Sequence, residues 1–530
     1  MRDTTIVWQH HAFELNQDGS IKTFSSNDND IQQISFTEAK IIENEYIKLV
    51  LVPEYGGRVL SFVYKPTDHE YLYRSECGSA YGIYQDIFYY DWLMVYGGIF
   101  PTFPEAEHGK TWFLPWEFSV LEETNGKVVV RMEYTDDTEY ASAPWNYNNG
   151  ITNLTCQVDI GVSENSTIWD FDVRLINDKS ENVSYEYWTC TTLAPGSEHD
   201  DTGSPLNTEI IIPIEEYFAA WSAGAWIGQH DEVRDFEEIN DYDEWESLGI
   251  AYAVDFDDTY WGVINHDNEE GIFRVSENEE TKGIKLWTWG RNNVDNDLFD
   301  FSNEGADNYI ELWAGVSEAF FDDDVIAANT VKSWDEAYCA TVNMTGICGM
   351  NDIAGVNLIW EMETSVLTYE LNTFHVDKEY NAVVYVATGD LVQEVSTIAI
   401  EFDPLGHRYE VDLSGISFNG DQSSIYFDLV EEDQDVVLSA TKEIGLNGGA
   451  GMEKEEKEFM TVRHMGNNEV LVELGTSAIY DYRVLTTSGQ TLIKGEVYGR
   501  EKMLRLPSSG MYVITFQSKQ GVFASKVFMP

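Results

Sequence analysis

Almost every apolar run in this chain is short, rich in β-branched or aromatic residues, and closed by turn formers. IKLVLVPEYGGRVLSFVY (47–64), KVVVRMEY (127–134), YWGVINHD (260–267) and NAVVYVATG (381–389) all have this form. In STIWDFDVRLIND (166–178) the apolar residues Ile168, Phe171, Val173 and Leu175 fall mostly on alternate positions, the mark of a strand with one buried face. Helical periodicity is scarce. YQDIFYYDWLMVYGG (84–98) and parts of 230–248 are the best helix candidates, and both also fit irregular chain. The pattern predicts an all-β protein built of antiparallel sandwiches.

At 530 residues the chain is too long for one ordinary domain. A first domain is expected over 1–343. Between 344 and 455 come VNLIWEME, SVLTYELNTF, NAVVYVATG, STIAIEFD, SIYFDLV and DVVLSAT, about ten residues apart, which suits an immunoglobulin-like sandwich. GLNGGAGMEKEEKEF (445–459), Gly-rich and then charged, reads as a tether. A last segment, 456–530, holds this linker and a small module of short strands.

The charge balance narrows the partners. There are 94 Asp+Glu against 31 Lys+Arg, a formal net charge of -63. Such a field repels nucleic acid and anionic membrane surfaces, so neither is expected as a partner. No apolar run reaches the length of a bilayer span. From Thr461 to Pro530 the count reverses, with 8 Lys+Arg and 5 Asp+Glu giving +3, which marks the tail as a separate module. The start, MRDTTIVWQHHAFEL, lacks the apolar core of a signal peptide, so either the chain stays in the cytoplasm or a signal has been removed.

Cys339 and Cys348 lie close together in AYCATVNMTGICGM and are candidates for a short-loop disulfide. Cys77, Cys156 and Cys190 read as buried thiols, and no Cys/His spacing resembles a zinc site. The acidic clusters SEHDD (197–201), DFDD (255–258), NVDNDLFD (293–300) and FFDDD (320–324) lack the register of an EF-hand loop. Structural calcium is left open, and no other cofactor is expected. No P-loop, nucleophile elbow or dinucleotide fingerprint is present.

GGIFPTFPEAEHGKTWFLPW (97–116) packs prolines, glycines, aromatics and carboxylates into a stretch with neither helical nor strand periodicity. Two readings stand. The rings and fixed polar groups form a sugar-binding surface, or a proline-bent loop plugs the end of a sandwich.

Two parts of the chain resemble known families. The tail EVLVELGTSAIYDYRVLTTSGQTLIKGEVYGREKMLRLPSSGMYVITFQSKQGVFASKVFMP is similar to the type IX secretion sorting domain of Bacteroidetes. That resemblance implies export by the secretion machinery, an extracellular or cell-surface location, and a signal peptide already removed. IIENEYIKLVLVPEYGGRVLSFVYKPTDHEYLYR (41–74), GGIFPTFPEAEH (97–108), YEYWTCTTLAPG (185–196), KLWTWG (285–290) and YIELWAGVSEAF (309–320) resemble, in this order, the galactose-mutarotase-like supersandwich, and especially an uncharacterised family within it. The superfamily includes aldose 1-epimerases, polysaccharide lyases and domains of glycoside hydrolases, so the fold does not settle the chemistry. In the epimerases a glutamate is general base, and the resemblance puts Glu311 near that place. The usual paired histidines do not map cleanly.

Work on a sugar needs groups that move protons and flat apolar faces that stack on the ring. Glu105, His108 and Glu311 are the candidate catalytic residues, with Glu107 beside them and His199 and His266 in reserve. His108 follows Glu105 by three residues in a loop, where the pair either converges on a cleft or is solvated. Glu311 alternates with Ile310, Leu312 and Trp313; it faces outward, or it is buried with a partner and a raised pKa. Arg58, after Gly56-Gly57, and Arg291 are candidate clamps for a carboxylate or sulfate. Trp112, Trp188, Trp287 and Trp289 are candidate stacking platforms, with core packing the alternative.

The expectation from these residues is a secreted carbohydrate-active protein that cleaves a polysaccharide by acid/base hydrolysis or β-elimination. A non-catalytic glycan-binding protein and an aldose 1-epimerase are the alternatives. Glu105, His108, Glu311, Arg58 and Trp289 are expected on one concave face of the first domain.

Overall fold

The computed structural model describes residues 1–11, 13–15, 21–24, 31–74, 97–105, 110–112, 114–137, 151–199, 203–222, 232–245, 249–277, 279–288, 290, 308–388, 391–416, 418, 423–431, 435–444, 460–466, 469–486, 491–506, 510–517 and 522–529. Two compact units are resolved. One comprises Met1–Ala382, Ile398–Leu413 and Asp428–Ala440; the other comprises Val383–Thr397, Ser414–Phe427 and Thr441–Pro530.

The protein is all-β. In the first unit a twelve-stranded sheet runs Arg2–His11, Ile31–Glu43, Ile47–Val52, Arg58–Tyr64, His69–Leu72, Trp188–Ser197, Ile310–Gly315, Gly283–Thr288, Gly249–Ala253, Glu216–Ser222, Glu232–Asp235. The short strand Ile99–Thr102 pairs with both Trp188–Ser197 and Arg58–Tyr64. A nine-stranded sheet faces it, with Glu270–Ser276, Glu336–Val342, Ile168–Asn177, Thr155–Ser163 and Lys127–Thr135 at its centre. All pairings among these strands are antiparallel, as the alternating sequence pattern requires.

Alternation puts one side-chain set of each strand between the sheets. Ile310, Leu312 and Ala314 meet Ile284, Leu286, Trp169, Phe171, Val173 and Leu175 in one core cluster. A carboxylate enters this core as well. Glu336 accepts from Arg274 Nε at 2.9 Å, Thr189 Oγ1 at 3.0 Å, Trp334 Nε1 at 2.8 Å and Tyr338 Oη at 3.1 Å, so its lone pairs are filled.

A four-stranded sheet of Gly349–Met350, Ala354–Glu361, Val366–Thr373 and His407–Asp412 follows, and another of Leu391–Ile400, Tyr380–Thr388, Ser423–Glu431 and Val436–Ile444. The tail forms a five-stranded sheet in which the long strand Glu469–Thr486 pairs with Met460–Gly466, Thr491–Arg505 and Gly510–Gln517.

Three sequence expectations change. Ile99–Thr102, in the stretch without visible periodicity, is a fully buried strand. Both of its faces are covered: Phe100 joins an aromatic cluster on one side of the sheet and Ile99 and Phe103 join the inter-sheet core, so no polar alternation shows in the sequence. The helix candidate at 230–248 is instead the strand Glu232–Asp235 with two 3₁₀ turns, Phe236–Glu238 and Tyr242–Glu244, capped by the Asp235 and Asp241 side chains. Most of 84–98 lies outside the described residues. Cys339 and Cys348 form no disulfide. Cys339 is buried inside Glu336–Val342 with its thiol toward the Phe273 carbonyl, while Cys348 Sγ lies 3.4 Å from Asn357 Oδ1. Their side chains serve different packings, which no short loop can override.

Candidate active site on the outer face of the large sheet

The side chains that alternate with the core set point away from the second sheet. In Ile310–Gly315 these are Glu311 and Trp313, in Gly283–Thr288 they are Lys285 and Trp287, and in Trp188–Ser197 they are Trp188 and Cys190. The register sets Trp287 and Thr192 opposite Glu311, and Lys285 and Cys190 opposite Trp313. Lys285 is thereby diagonal to Glu311, within reach of a long side chain.

Glu311 is only 3% exposed. Its Oε1 accepts from Tyr309 Oη at 2.5 Å, its Oε2 accepts from Trp313 Nε1 at 2.7 Å, and Lys285 Nζ stands 3.7 Å from Oε2. Burial raises its pKa; the Lys285 charge and the two hydrogen bonds oppose that rise without cancelling it. Tyr309, pushed well above its ordinary value by burial and by Glu311, holds its proton toward the carboxylate. Its ring is edge-on to Tyr73 at 4.6 Å and to Trp287 at 5.6 Å. The Lys285 ammonium sits over the faces of Trp313 at 3.6 Å and Phe320 at 4.4 Å, which compensates part of its lost hydration.

Arg58 is fully buried at the start of its strand. Its guanidinium lies 3.9 Å from the Phe100 ring centre and 5.0 Å from that of Tyr55, and Nη1 donates to the Gly97 carbonyl. Burial lowers its pKa to about 10. Cys190 is acted on by Glu311, Lys285 and Arg58, and Tyr309 acts on Arg58 and is acted on by Glu311, so these charges share one neighbourhood.

A second acidic pair lies where Trp188–Ser197 begins. Glu186 donates its backbone N–H to the Pro104 carbonyl at 2.8 Å, and its carboxylate accepts from Trp188 Nε1 at 3.2 Å. Burial pushes the Glu186 pKa up to about 8, with the Asp323 and Glu105 charges adding to the rise.

The structure therefore brings Glu311, Arg58, Trp287 and Trp188 to one face. Glu105, itself buried, stands beside Glu186. Trp112 and Trp188 are fully buried and belong to the aromatic cluster with Tyr55, Phe100 and Trp313. Trp287 is 8% exposed. His108, Glu107, Trp289 and Arg291 lie outside the described residues. The reserve histidines are elsewhere in surface pairs: His199 with Asp68 at 3.2 Å and His266 with Glu209 at 2.9 Å. Among the described residues no group of three or more His, Cys, Asp or Glu is placed to hold a metal ion. Sequence reasoning passed over Lys285, Tyr309 and Glu186. The first two were legible, since each shares strand parity with a residue already singled out.

Comparison with known proteins gives one family model over part of the chain and a likeness of fold. A family model described as a domain of unknown function (DUF5107) matches residues 21–188. Among solved structures the chain is similar to a TPR-domain containing protein from Parabacteroides distasonis, at 16% identity and TM-score 0.50. That match covers 64% of this chain and 55% of the other, so the chain spans about half the length of this relative. It is also similar to the Slr1438 protein from Synechocystis, at 13% identity, TM-score 0.41, 57% of this chain and 95% of that one. A galactose mutarotase-like protein from Clostridium acetobutylicum matches at 10% identity, TM-score 0.40, 63% of this chain and 98% of that one. At such identities the likeness is one of fold.

Proposed function

We propose that this protein is carbohydrate-active and acts on a polysaccharide by acid/base chemistry at Glu311. One observation carries the reading: a carboxylate with a raised pKa, buried among Tyr73, Trp287, Tyr309 and Trp313 on the outer face of the large sheet, with Lys285 3.7 Å away. A carboxyl group whose pKa is shifted toward neutrality can both give and take a proton, and rings beside it suit the apolar face of a sugar. Lys285 stabilises the ionised form at each turnover, and Tyr309 fixes the orientation of Oε1.

The test is incubation of the full chain with a panel of neutral and acidic polysaccharides, following new reducing ends and the ultraviolet absorbance of unsaturated uronates. Reducing ends without absorbance mean hydrolysis, and both together mean elimination. Binding with neither signal selects the glycan-binding alternative. Glu311→Gln is expected to cut whichever chemistry appears by about 10²–10⁴-fold. Export through 456–530 is part of the same proposal and rests on the resemblance of the tail. A chain lacking residues 461–530 is expected to keep its turnover and to lose secretion from a host with that machinery.

A further inference from the structure

Among the described residues four cationic side chains are exposed by 3% or less: Arg58, Lys110, Arg274 and Lys285. Three of them face a carboxylate. Lys110 Nζ is 3.0 Å from Asp136, Arg274 Nε is 2.9 Å from Glu336, and Lys285 Nζ is 3.7 Å from Glu311. Arg58 faces none. Its Nε and Nη2 are buried without a hydrogen-bond partner, and the groups that act on its charge are Tyr55, Cys190 and Tyr309. Scarcity does not explain this, because the chain holds 94 Asp and Glu. A buried guanidinium with open donors is costly unless an anion completes it.

We infer that Arg58 is the receptor for an oxyanion carried by the ligand, either a uronate carboxylate or a sulfate ester of an acidic glycan. The glycan part rests on the carbohydrate reading above; the anion part rests on Arg58 alone. A guanidinium offers Nε and one Nη as a planar fork that matches two oxygens of either group. The rings of Phe100 and Tyr55 hold that fork in place, and Gly98 at φ 89° keeps the backbone beside it, since a Cβ there would lie 2.4 Å from the Val59 carbonyl and 3.2 Å from Arg58 Cγ. Tyr309 acts on the Arg58 charge and donates its hydroxyl to Glu311, so the proposed anion receptor and the proposed reacting carboxylate share a neighbour.

The experiment is calorimetric binding to the full chain of oligogalacturonate, a sulfated galactan oligosaccharide and a neutral galactan oligosaccharide, with free sulfate as a further arm. At least one acidic oligosaccharide is expected to bind about tenfold or more tightly than the neutral one, and the arm that does so names the anion. Arg58→Met is expected to erase that preference while leaving the melting temperature unchanged or higher, because it removes an uncompensated buried charge. Should that variant fail to fold, Arg58→Lys decides, since a point charge keeps only part of a bidentate preference. Equal affinity for acidic and neutral ligands, or a preference that survives in Arg58→Met, overturns the inference. So does binding of free sulfate with no acidic oligosaccharide bound. Acid preference without turnover sustains it and sinks the acid/base reading; turnover without acid preference does the reverse.

Discussion

Glu336 and Glu311 are both glutamates buried in strands rich in aromatic residues, and both have a cation beside them, yet their surroundings differ. Glu336 lies between the sheets and receives four hydrogen bonds, one from Arg274. Glu311 lies on the opposite face of its sheet and receives two, with Lys285 at 3.7 Å. A carboxylate with every lone pair filled is bound to its framework and has nothing left for a ligand. One with fewer donors, such as Glu311, keeps lone-pair capacity for a proton or a ligand. Under the proposed function, what would separate a structural acid from a reactive one is the number of donors, since burial is shared.

The largest expected effect is on turnover. Glu311→Gln is expected to cut it by about 10²–10⁴-fold on the true substrate, with a loss of stability smaller than that of a truncation, because one acceptor is kept while the buried Lys285 ammonium loses its counter-charge. A variant that keeps full turnover would remove Glu311 from the chemistry and make the two glutamates alike.

Next comes the structural partner. Glu336→Ala leaves Arg274 charged and alone in the core and is expected to cost about 3–5 kcal/mol of stability, read in chemical denaturation. The double variant with Arg274→Met is expected to recover part of that loss, because the stranded charge is gone. Equal sensitivity of stability to Glu311→Gln and Glu336→Ala would erase the distinction.

Glu186 gives a titration with a definite sign. Its folded pKa of about 8 stands above the ordinary 4.5, so the folded state holds this proton more tightly than the unfolded chain. Its contribution to stability is full below pH 4.5, declines as pH rises, and is exhausted once pH passes about 8. Melting temperatures across that window should fall less steeply in Glu186→Gln than in the parent. An unchanged slope would mean that Glu186 already ionises freely.

Much of this contrast could be read in the sequence, but only in part. Alternation in STIWDFDVRLIND and YIELWAG placed the strands, and the apolar neighbours of Glu311 marked it as unusual. The same alternation could not tell the inter-sheet face from the outer face, because both are lined by aromatics: Trp169 and Tyr338 on one, Trp188 and Trp313 on the other. Glu336 escaped notice since its donors come from Thr189, Arg274 and Tyr338, which long-range register alone brings together. Glu186 escaped because its neighbour Pro104, which accepts its backbone N–H, is distant in sequence. Arg58 stood out beside Gly56-Gly57, but its missing carboxylate is visible only when all buried cations are compared.

The smallest effect is expected where a histidine and a carboxylate pair at the surface. His266 Nε2 lies 2.9 Å from Glu209 Oε2, and both side chains keep about a third of their exposure. The Glu209 hydrogen bond is the main cause that raises the His266 pKa above 6.5, and burial opposes it. The sign is fixed: the pair's contribution is fully present below pH 6.5 and disappears as pH rises through the folded value. Water screens such a pair, so His266→Ala is expected to change stability by no more than about 1 kcal/mol at pH 6 and by nothing measurable at pH 9. Turnover should be unaffected, because His266 sits in the turn after Tyr260–Asn265 of the other sheet and not on the face that carries Glu311. A loss of turnover in this variant with stability intact would show that the reacting groups extend beyond that face, and the division between a saturated core acid and a reactive outer one would have to be redrawn around His266.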